Sequence, residues 1–300
     1  MRRLRLVHLS DIHLQPERDA AAGFAACLRH LQALDPPPDL IINTGDTIMD
    51  GVGVGLQRAN VQWELWDSLV HDHCRIPMLH CLGNHDIWGW NRRKSGCTGS
   101  EPFYGKELPL RRLGLSSPYY HKDLAGWRIF VLDSIFDGAG DAAEASTSHF
   151  VARLDDTQLA WLVRELAATP PETNVILVSH CPIVGGAALF FTGEVGETER
   201  TGHWVIPNNW MHIDARALVA ILMRFPNVRL CLSGHTHMHD RMEFAGITFI
   251  NNGALSGRWW RNDAPDPPPT YSPPGYGLLE LFDDGSFTNR WLPFTVNNHR

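Results

Sequence analysis

Five short polar clusters contain the residues best suited to binding metal ions. They are Asp11-Ile12-His13, Gly45-Asp46, Gly83-Asn84-His85-Asp86, Ser179-His180 and Gly234-His235-Thr236-His237. Together they offer carboxylates, a carboxamide and several imidazoles but no thiolate, which favours borderline divalent ions such as Mn, Fe, Zn, Co or Ni over Ca or Mg. The number of ligands fits two ions about 3.5–4 Å apart, which a carboxylate such as that of Asp46 can bridge.

Each cluster directly follows a short apolar segment that is typical of a buried strand. The segments cover residues 4–9, 40–42, 78–82, 175–178 and 228–232. Apolar runs of this length, rich in β-branched residues and stopped by glycine and polar residues, predict strands. In α/β folds the chemistry collects beyond the carboxyl ends of the strands. We therefore expect the five clusters to meet at one edge of a sheet.

Between the strands, four apolar stripes predict amphipathic helices. Their members are Phe24, Cys27, Leu28, Leu31 and Leu34; Val61, Leu65 and Leu69; Leu159, Leu162, Val163 and Leu166; and Ile213, Ala217, Leu218, Ile221 and Leu222. The third stripe follows a capping pattern formed by Asp155 and Gln158. Turn residues at 125–126 and 283–285 indicate antiparallel strands that belong to a second sheet. The sequence thus predicts an α/β fold of two packed mixed β-sheets flanked by α-helices, in a single domain of residues 1–300.

The bulk composition is that of an ordinary globular protein, with 300 residues, 44% hydrophobic and 20% charged. No apolar run reaches the roughly 18 residues of a membrane span, and the basic N-terminus lacks the pattern of a signal peptide. The net charge of −7 disfavours nucleic acid as a partner, because a nucleic-acid backbone is usually bound by a basic face. Six scattered cysteines without a close pair predict reduced thiols and a cytoplasmic location.

The ordered series of clusters resembles the calcineurin-like metallophosphoesterase superfamily. The motifs that carry the resemblance are Asp11-x-His13, Gly45-Asp46, Gly83-Asn84-His85-Asp86, His180 and Gly234-His235-x-His237. The pattern is most similar to the bacterial class III cyclic-nucleotide and glycerophosphodiester phosphodiesterases. It differs from the purple acid phosphatases, because His13 is present and Met49 stands where those enzymes carry a tyrosine ligand. The resemblance implies a four-layer α/β/β/α sandwich.

The resemblance also implies how a dinuclear centre is bound. Two divalent transition-metal ions (Mn, Fe or Zn) would be held, the first by Asp11, His13 and His237 and the second by Asn84, His180 and His235, with Asp46 as the bridge. A hydroxide bridging the ions would attack a small-molecule phosphodiester. His85, which is not needed as a ligand, would donate a proton or a hydrogen bond to the leaving oxygen, and Asp86 would orient its imidazole.

The substrate-binding residues expected from the sequence are Asn84, His85, Trp204, Trp259 and Arg258. The aromatic residues lie in a lid-like insertion at about 185–211 and in the C-terminal strand-rich portion at about 239–300. They would stack on a base or shield an apolar group, although a self-packed rim or a homodimer contact accounts for them equally well.

Three other functions stay open at this stage. A phosphomonoesterase would use the same site. A DNA or RNA nuclease is disfavoured by the acidic charge. A non-catalytic binding scaffold predicts a broken ligand set, whereas all seven ligands are present.

Overall fold

Two large mixed sheets and one small hairpin contain the strands of the computed structural model, which describes residues 3–138, 150–190, 206–261 and 271–294. The strands are β1 Arg3–Leu9, β2 Leu40–Asn43, β3 Met78–His80, β4 Tyr120–Leu124, β5 Trp127–Val131, β6 Ile135–Asp137, β7 Phe150–Ala152, β8 Asn174–Val178, β9 Val228–Ser233, β10 His239–Phe244, β11 Ile247–Asn252, β12 Gly275–Phe282 and β13 Phe287–Pro293. The helices are α1 Ala20–Gln32, α2 Leu56–His73, α3 Arg92–Ser95, α4 Glu107–Arg112, α5 Asp156–Ala168, α6 Gly186–Phe190 and α7 Ala215–Leu222.

The first sheet has the strand order β13-β12-β1-β2-β3 and the second the order β10-β11-β9-β8-β5-β4. In the first sheet β1, β2 and β3 run parallel, and β12 and β13 continue it antiparallel. In the second sheet β11, β9, β8 and β5 run parallel between the antiparallel edge strands β10 and β4. The carboxyl ends of the parallel strands therefore point the same way within each sheet.

The central strands are apolar along their whole length because both of their faces are buried. On β1, Leu4 and Leu6 face the core between the two sheets, whereas Val7 and Leu9 face the core under α1 and α2. The outer face of the second sheet packs against α5 and α7. These layers give the predicted sandwich of helices, two sheets and helices, and the prediction of the fold class is confirmed.

Local features predicted from the sequence are also present. The Asp155 carboxylate accepts a hydrogen bond from the Gln158 amide, 2.7 Å away, and so caps α5. The hairpin of β4 and β5 turns at Ala125 and Gly126, both in the left-handed region, and β12 is joined to β13 by a turn that contains Gly285. Only the first hairpin belongs to the second sheet as predicted, because β12 pairs with β1 and so extends the first sheet.

The predicted apolar face of α2 is right at Leu65 and Leu69, which pack partly buried against the core, but it is wrong at Val61. Val61 is 41% exposed, and the buried face consists of Ala59, Gln62, Trp63 and Trp66. The two indoles fill the space between α2, α1 and the first sheet, and Trp66 stacks on Phe24 with ring centroids 5.2 Å apart. Large aromatic side chains thus set the helix rotation, and the smaller aliphatic residues lie at the edge of the contact.

Ile213, placed in the fourth stripe, precedes α7 and is 59% exposed. Within the described ranges, no helix is long and apolar enough to cross a bilayer. The central part of the predicted insertion, residues 191–205, lies outside the described residues, and so does Trp204.

Candidate metal centre and its cavity

All seven predicted ligands meet at the carboxyl ends of the parallel strands. The loop after β1 carries Asp11 and His13, the loop after β2 carries Asp46, and the short 3-10 turn after β3 carries Asn84. The loop after β8 carries His180, and the loop after β9 carries His235 and His237. Because both sheets contribute loops to one edge of the sandwich, residues up to 226 positions apart in the chain become neighbours.

One group of ligands consists of Asp11, His13 and His237. The Nε2 atoms of His13 and His237 are 3.0 Å apart, and the Oδ1 atom of Asp11 lies 3.4 Å from His237 Nε2 and 3.9 Å from His13 Nε2. All three side chains are buried, and one donor atom from each lies within 4.8 Å of the others. This spacing is suitable for a single ion between them.

A second group contains Asn84, His180 and His235. His180 Nε2 lies 3.0 Å from Asn84 Oδ1, and the rings of His180 and His235 are 5.0 Å apart. Asp46 lies between the two groups, with its Oδ2 atom 3.4 Å from His180 Nε2 and 3.7 Å from His13 Nε2. The carboxylate therefore occupies the position that a bridging ligand requires.

The backbone at this site is strained in an unusual way. Five of the seven residues have positive φ angles in the left-handed region, namely Asp11, His13, Asp46, His235 and His237. Non-glycine residues enter this region at a cost of about 1–2 kcal/mol, and such strain clusters at functional sites. The surrounding loops must hold these residues in the left-handed conformation, since the intrinsic backbone preference of aspartate and histidine would not.

The hydrogen bonds of two histidines show that the centre is suited to cations. The Nδ1 atoms of His180 and His237 lie 2.9 Å from the Thr44 carbonyl oxygen and 2.7 Å from the Gly257 carbonyl oxygen. A carbonyl oxygen only accepts, so each Nδ1 carries a proton and the Nε2 atom of each ring faces the centre. There Nε2 of His180 lies beside Asn84 Oδ1 and Asp46 Oδ2, and Nε2 of His237 lies beside Asp11 Oδ1. This inward set of imidazole nitrogens, carboxylate oxygens and an amide oxygen fits metal ions.

The electrostatics of the buried groups agree with a site for positive charge. Burial alone lowers the pKa of His180, but the carboxylates of Asp46 and Asp11 outweigh it and raise that pKa to about 9. Burial lowers the pKa of His235 to about 4, with His180 acting in the same direction. The carboxylates thus attract positive charge to the centre, while the His235 imidazole stays neutral and available as a ligand.

Two motif glycines are required because the loops approach each other closely. A Cβ atom on Gly83 would overlap the backbone nitrogen and Oδ1 of Asp46. A Cβ atom on Gly234 would overlap the side chains of Ser10 and Asp11. The glycines that precede the Asn84 and His235 ligands therefore allow the strand-end loops to pack against one another.

The expected role of Asp86 is corrected by its contacts. Its carboxylate accepts hydrogen bonds from the amides of Thr47 and Gly83, each at 2.8 Å, and of Ile48 at 3.2 Å. The His85 ring is held instead by the Met49 carbonyl, which bonds to its Nδ1 atom. Asp86 is therefore not the group that orients the imidazole. It joins the β3 loop to the β2 loop, which carries Asp46.

The predicted proton donor, His85, is close to the metal ligands. Its amide donates to Asp46 Oδ1 at 2.8 Å, and its ring centroid is 4.7 Å from that of His13. With Nδ1 bonded to the Met49 carbonyl, the Nε2 atom is the one left to act on a substrate. One donor atom each of His13, Asp46 and His85 also lies within 4.8 Å of the others, so the ring borders the centre itself.

A cavity of about 340 Å³ opens onto the centre. Its lining residues are His13, Asp46, Asp50, Val52, Asn84, His85, Phe150, Asn209, Trp210, His235, Thr236, His237, Trp259 and Tyr271. Aromatic side chains form two walls of the cavity, one beside His237 and the other beside His235. Trp259 lies 4.4 Å from His237, and Phe150 and Trp210 lie 5.7 and 6.2 Å from His235, measured between ring centroids.

Only part of the predicted substrate contact is present in this cavity. Asn84, His85 and Trp259 line it, whereas Arg258 is not among its described lining residues and Trp204 lies outside the described part of the chain. Asp50, Phe150, Asn209 and Tyr271 were not singled out from the sequence, because they belong to no motif.

Trp259 is presented to the cavity by its neighbour Trp260. The Trp260 ring is buried and its Nε1 donates to the Ile12 carbonyl oxygen at 2.8 Å. Both tryptophans have positive φ angles. Ser256 further ties this loop to the centre, because its hydroxyl donates to the Asp11 carbonyl oxygen at 2.7 Å. The Trp259 wall is therefore fixed to the same loop that carries Asp11 and His13.

Comparison with known proteins shows similarity to phosphoesterases. A family model described as calcineurin-like phosphoesterase matches residues 4–239. The chain is 22% identical to a 3′,5′-cyclic-nucleotide phosphodiesterase of Nostoc sp., over 96% of this chain and 91% of that protein. It is also 22% identical to the 3′,5′-cyclic adenosine monophosphate phosphodiesterase CpdA of Escherichia coli, over 95% of this chain and 88% of that protein.

Among solved structures, a dimetal phosphatase from Danio rerio has a similar fold. Its TM-score is 0.59 at 15% sequence identity, and the match covers 93% of both chains.

Proposed function

Because this chain belongs to the calcineurin-like phosphoesterase family, we propose that it hydrolyses small-molecule phosphodiesters, with 3′,5′-cyclic nucleotides as the leading substrate class. The family match confirms the resemblance predicted from the motifs, and it makes the chain a phosphoric ester hydrolase. The observation that carries the proposal is the convergence of six nitrogen and oxygen donors, five of them on buried side chains, around the buried Asp46 carboxylate, at the floor of an open cavity. The names of the Nostoc and Escherichia coli relatives support a cyclic nucleotide as substrate.

In the proposed reaction each side chain has a distinct task. Asp11, His13 and His237 would hold one ion, Asn84, His180 and His235 the other, and Asp46 both. Two bound divalent ions supply the positive charge and the acidified water that phosphate ester hydrolysis requires at neutral pH.

The proton supplied to the leaving oxygen is assigned to His85. Its Nδ1 is engaged by the Met49 carbonyl, so its Nε2 is the atom that can deliver the proton. Asn84, beside it, would serve both as a ligand and as a hydrogen-bond donor to the phosphoryl oxygen.

The cavity suits a substrate with an aromatic or apolar group beside its phosphate. Trp259 and Tyr271 form one wall, with ring centroids 5.8 Å apart, and Phe150 and Trp210 form the other. Flat aromatic walls stack well on a nucleobase. We propose Trp259 as the principal stacking surface, because its ring packs directly on the ligand His237.

Removing and restoring the metal tests the proposal. Chelator-treated protein should lose its activity on bis-p-nitrophenyl phosphate, and Mn²⁺ should restore it, with a kcat/KM higher than that for p-nitrophenyl phosphate. A restored preference for the monoester would instead identify a phosphomonoesterase. If neither ester is hydrolysed, 3′,5′-cyclic AMP assayed under the same conditions decides, and inactivity on all three would contradict the proposal.

The remaining expectations about partners and location form part of the same proposal. The net charge of −7 supports a small-molecule substrate over nucleic acid. All six cysteines are free thiols and five of them are buried, which supports a reducing, cytoplasmic location. We further propose that residues 1–300 form one domain. We also propose that the protein forms a homodimer, which sedimentation velocity of the purified chain would detect.

A further inference from the structure

The cavity wall beside His85 carries a carboxylate, Asp50, that does not belong to the predicted ligand set. The backbone on both sides of Asp50 is fixed. The Met49 carbonyl bonds to the His85 ring, and the Gly51 amide donates to the His85 carbonyl oxygen at 2.8 Å. The carbonyl oxygen of Asp50 itself accepts from the buried Gln62 side chain at 2.9 Å. The carboxylate is therefore held at the cavity wall by the segment that positions His85.

The cavity lining carries more acidic than basic side chains, histidines aside. The described lining includes two carboxylates, Asp46 and Asp50, and neither lysine nor arginine. Asp46 has its partner in the proposed metal ions, whereas Asp50 adds a negative charge to the space where substrate enters. A phosphodiester carries one negative charge, and a phosphomonoester carries close to two above its second pKa of about 6. Repulsion from Asp50 grows in proportion to the charge of the substrate.

The environment of Asp50 is compatible with an ionised carboxylate under assay conditions. Burial raises the pKa of Asp50, and this effect exceeds the opposite effect of the neighbouring His85, Arg58 and Lys94, which lower it. Arg58 is already paired with Glu17 at 2.8 Å, and neither Arg58 nor Lys94 lines the cavity. At pH 8, far above the ordinary carboxyl range, the negative charge faces the substrate.

We infer that Asp50 is a specificity-determining residue, whose charge favours monoanionic phosphodiesters over dianionic phosphomonoesters. The inference rests on the proposed function and deepens it. The product of diester hydrolysis is itself a phosphomonoester, so the same repulsion accelerates product release and reduces product inhibition. One carboxylate thus affects both substrate choice and the departure of the product.

The test compares Asp50→Asn with wild type in the Mn²⁺-loaded protein at pH 8. Loss of the charge is expected to raise kcat/KM by roughly threefold per unit of substrate charge. This corresponds to about threefold for bis-p-nitrophenyl phosphate and about ninefold for p-nitrophenyl phosphate. The inhibition constant of inorganic phosphate should fall by about ninefold. Asp50→Glu keeps the charge and should resemble wild type in all three measurements.

Glu172→Gln is the matched control. It also removes one negative charge, but from an exposed turn before β8, at the end of the strand opposite the centre. Its diester-to-monoester ratio should equal that of wild type. An unchanged ratio and phosphate inhibition in Asp50→Asn, or an equal change in Glu172→Gln, would overturn the inference.

These failures are distinct from a failure of the proposed function. If wild type prefers diesters while Asp50→Asn behaves like wild type, only the role of Asp50 is refuted. A wild-type enzyme without metal-dependent diester hydrolysis would refute the proposed function.

Discussion

Replacing Asp46 by asparagine should lower kcat/KM for phosphodiesters by about 10³-fold or more, because the substitution removes the one carboxylate shared by both ligand groups. The Asp46 carboxylate lies 3.4 Å from His180 and 3.7 Å from His13, and it accepts a hydrogen bond from the His85 amide. Asparagine is preferred to alanine as the replacement, because position 46 has a φ of 54°, which asparagine tolerates. The kinetic assay should be accompanied by metal analysis, in which bound metal falls by at least one ion per chain.

A second aspartate offers a closely matched control for this substitution. Asp19 also has a left-handed backbone, with a φ of 57°, but it is exposed and precedes α1 away from the cavity. Asp19→Asn should keep wild-type kcat/KM and metal content. If Asp46→Asn folds, as judged by circular dichroism, and still turns over diesters at a rate near that of wild type, Asp46 is not the bridging ligand.

The meeting of the seven predicted ligands was predictable from sequence, because each of them follows a strand end. Within each sheet the carboxyl ends of the parallel strands lie at one edge, so topology brings together the clusters after β1, β2 and β3 and those after β8 and β9. The packing of the two sheets then brings both sets to the same edge of the sandwich. The left-handed backbone at His235 and His237 was not foreseen, since neither residue type signals it. The Gly83 and Gly234 motif positions were visible in the sequence, but the close approach that requires them appears only in the folded loops.

The cavity walls were harder to predict than the ligands. Phe150, Asn209 and Tyr271 come from separate irregular segments, and their meeting depends on loop paths that periodicity does not encode. The hydrogen-bond partners of the motif side chains could not be predicted from the sequence either. The Gly-Asn-His-Asp motif places Asp86 next to His85 in sequence, yet its carboxylate points to the amides of the neighbouring loop. The adjacency of His85 and Asp86 in a short 3-10 turn therefore did not predict correctly which group orients the His85 imidazole.

The same limit applies to helix rotation. On α2 the aliphatic residues predicted a face that includes Val61, whereas the buried volume of Trp63 and Trp66 determined a face that leaves Val61 exposed. Burial of an indole removes more apolar surface from water than burial of a valine. A tryptophan pair at helical spacing should therefore outweigh a single Val61 when a buried face is assigned.

The proton-donor role of His85 predicts a dependence on the leaving group. His85→Ala should reduce kcat/KM by about 10²-fold for diesters with alkoxide leaving groups, which need a proton. The loss should be far smaller for p-nitrophenyl esters, whose leaving group departs as a stable anion. A series of aryl methyl phosphates with phenols of increasing pKa should therefore give a steeper dependence on leaving-group pKa in the variant than in wild type.

Metal analysis of His85→Ala distinguishes a proton donor from a metal ligand. The distinction is needed because His85 lies close enough to His13 and Asp46 to share an ion with them. A proton donor can be removed without loss of bound metal, whereas removal of a ligand lowers the metal content along with the rate for every ester. His71→Ala is the control, because His71 is an exposed histidine at the end of α2, outside the cavity. Retained metal with a steeper leaving-group dependence would establish His85 as the donor. Equal losses on all esters, accompanied by loss of metal, would show instead that His85 is a further ligand and that the leaving oxygen takes its proton from another group.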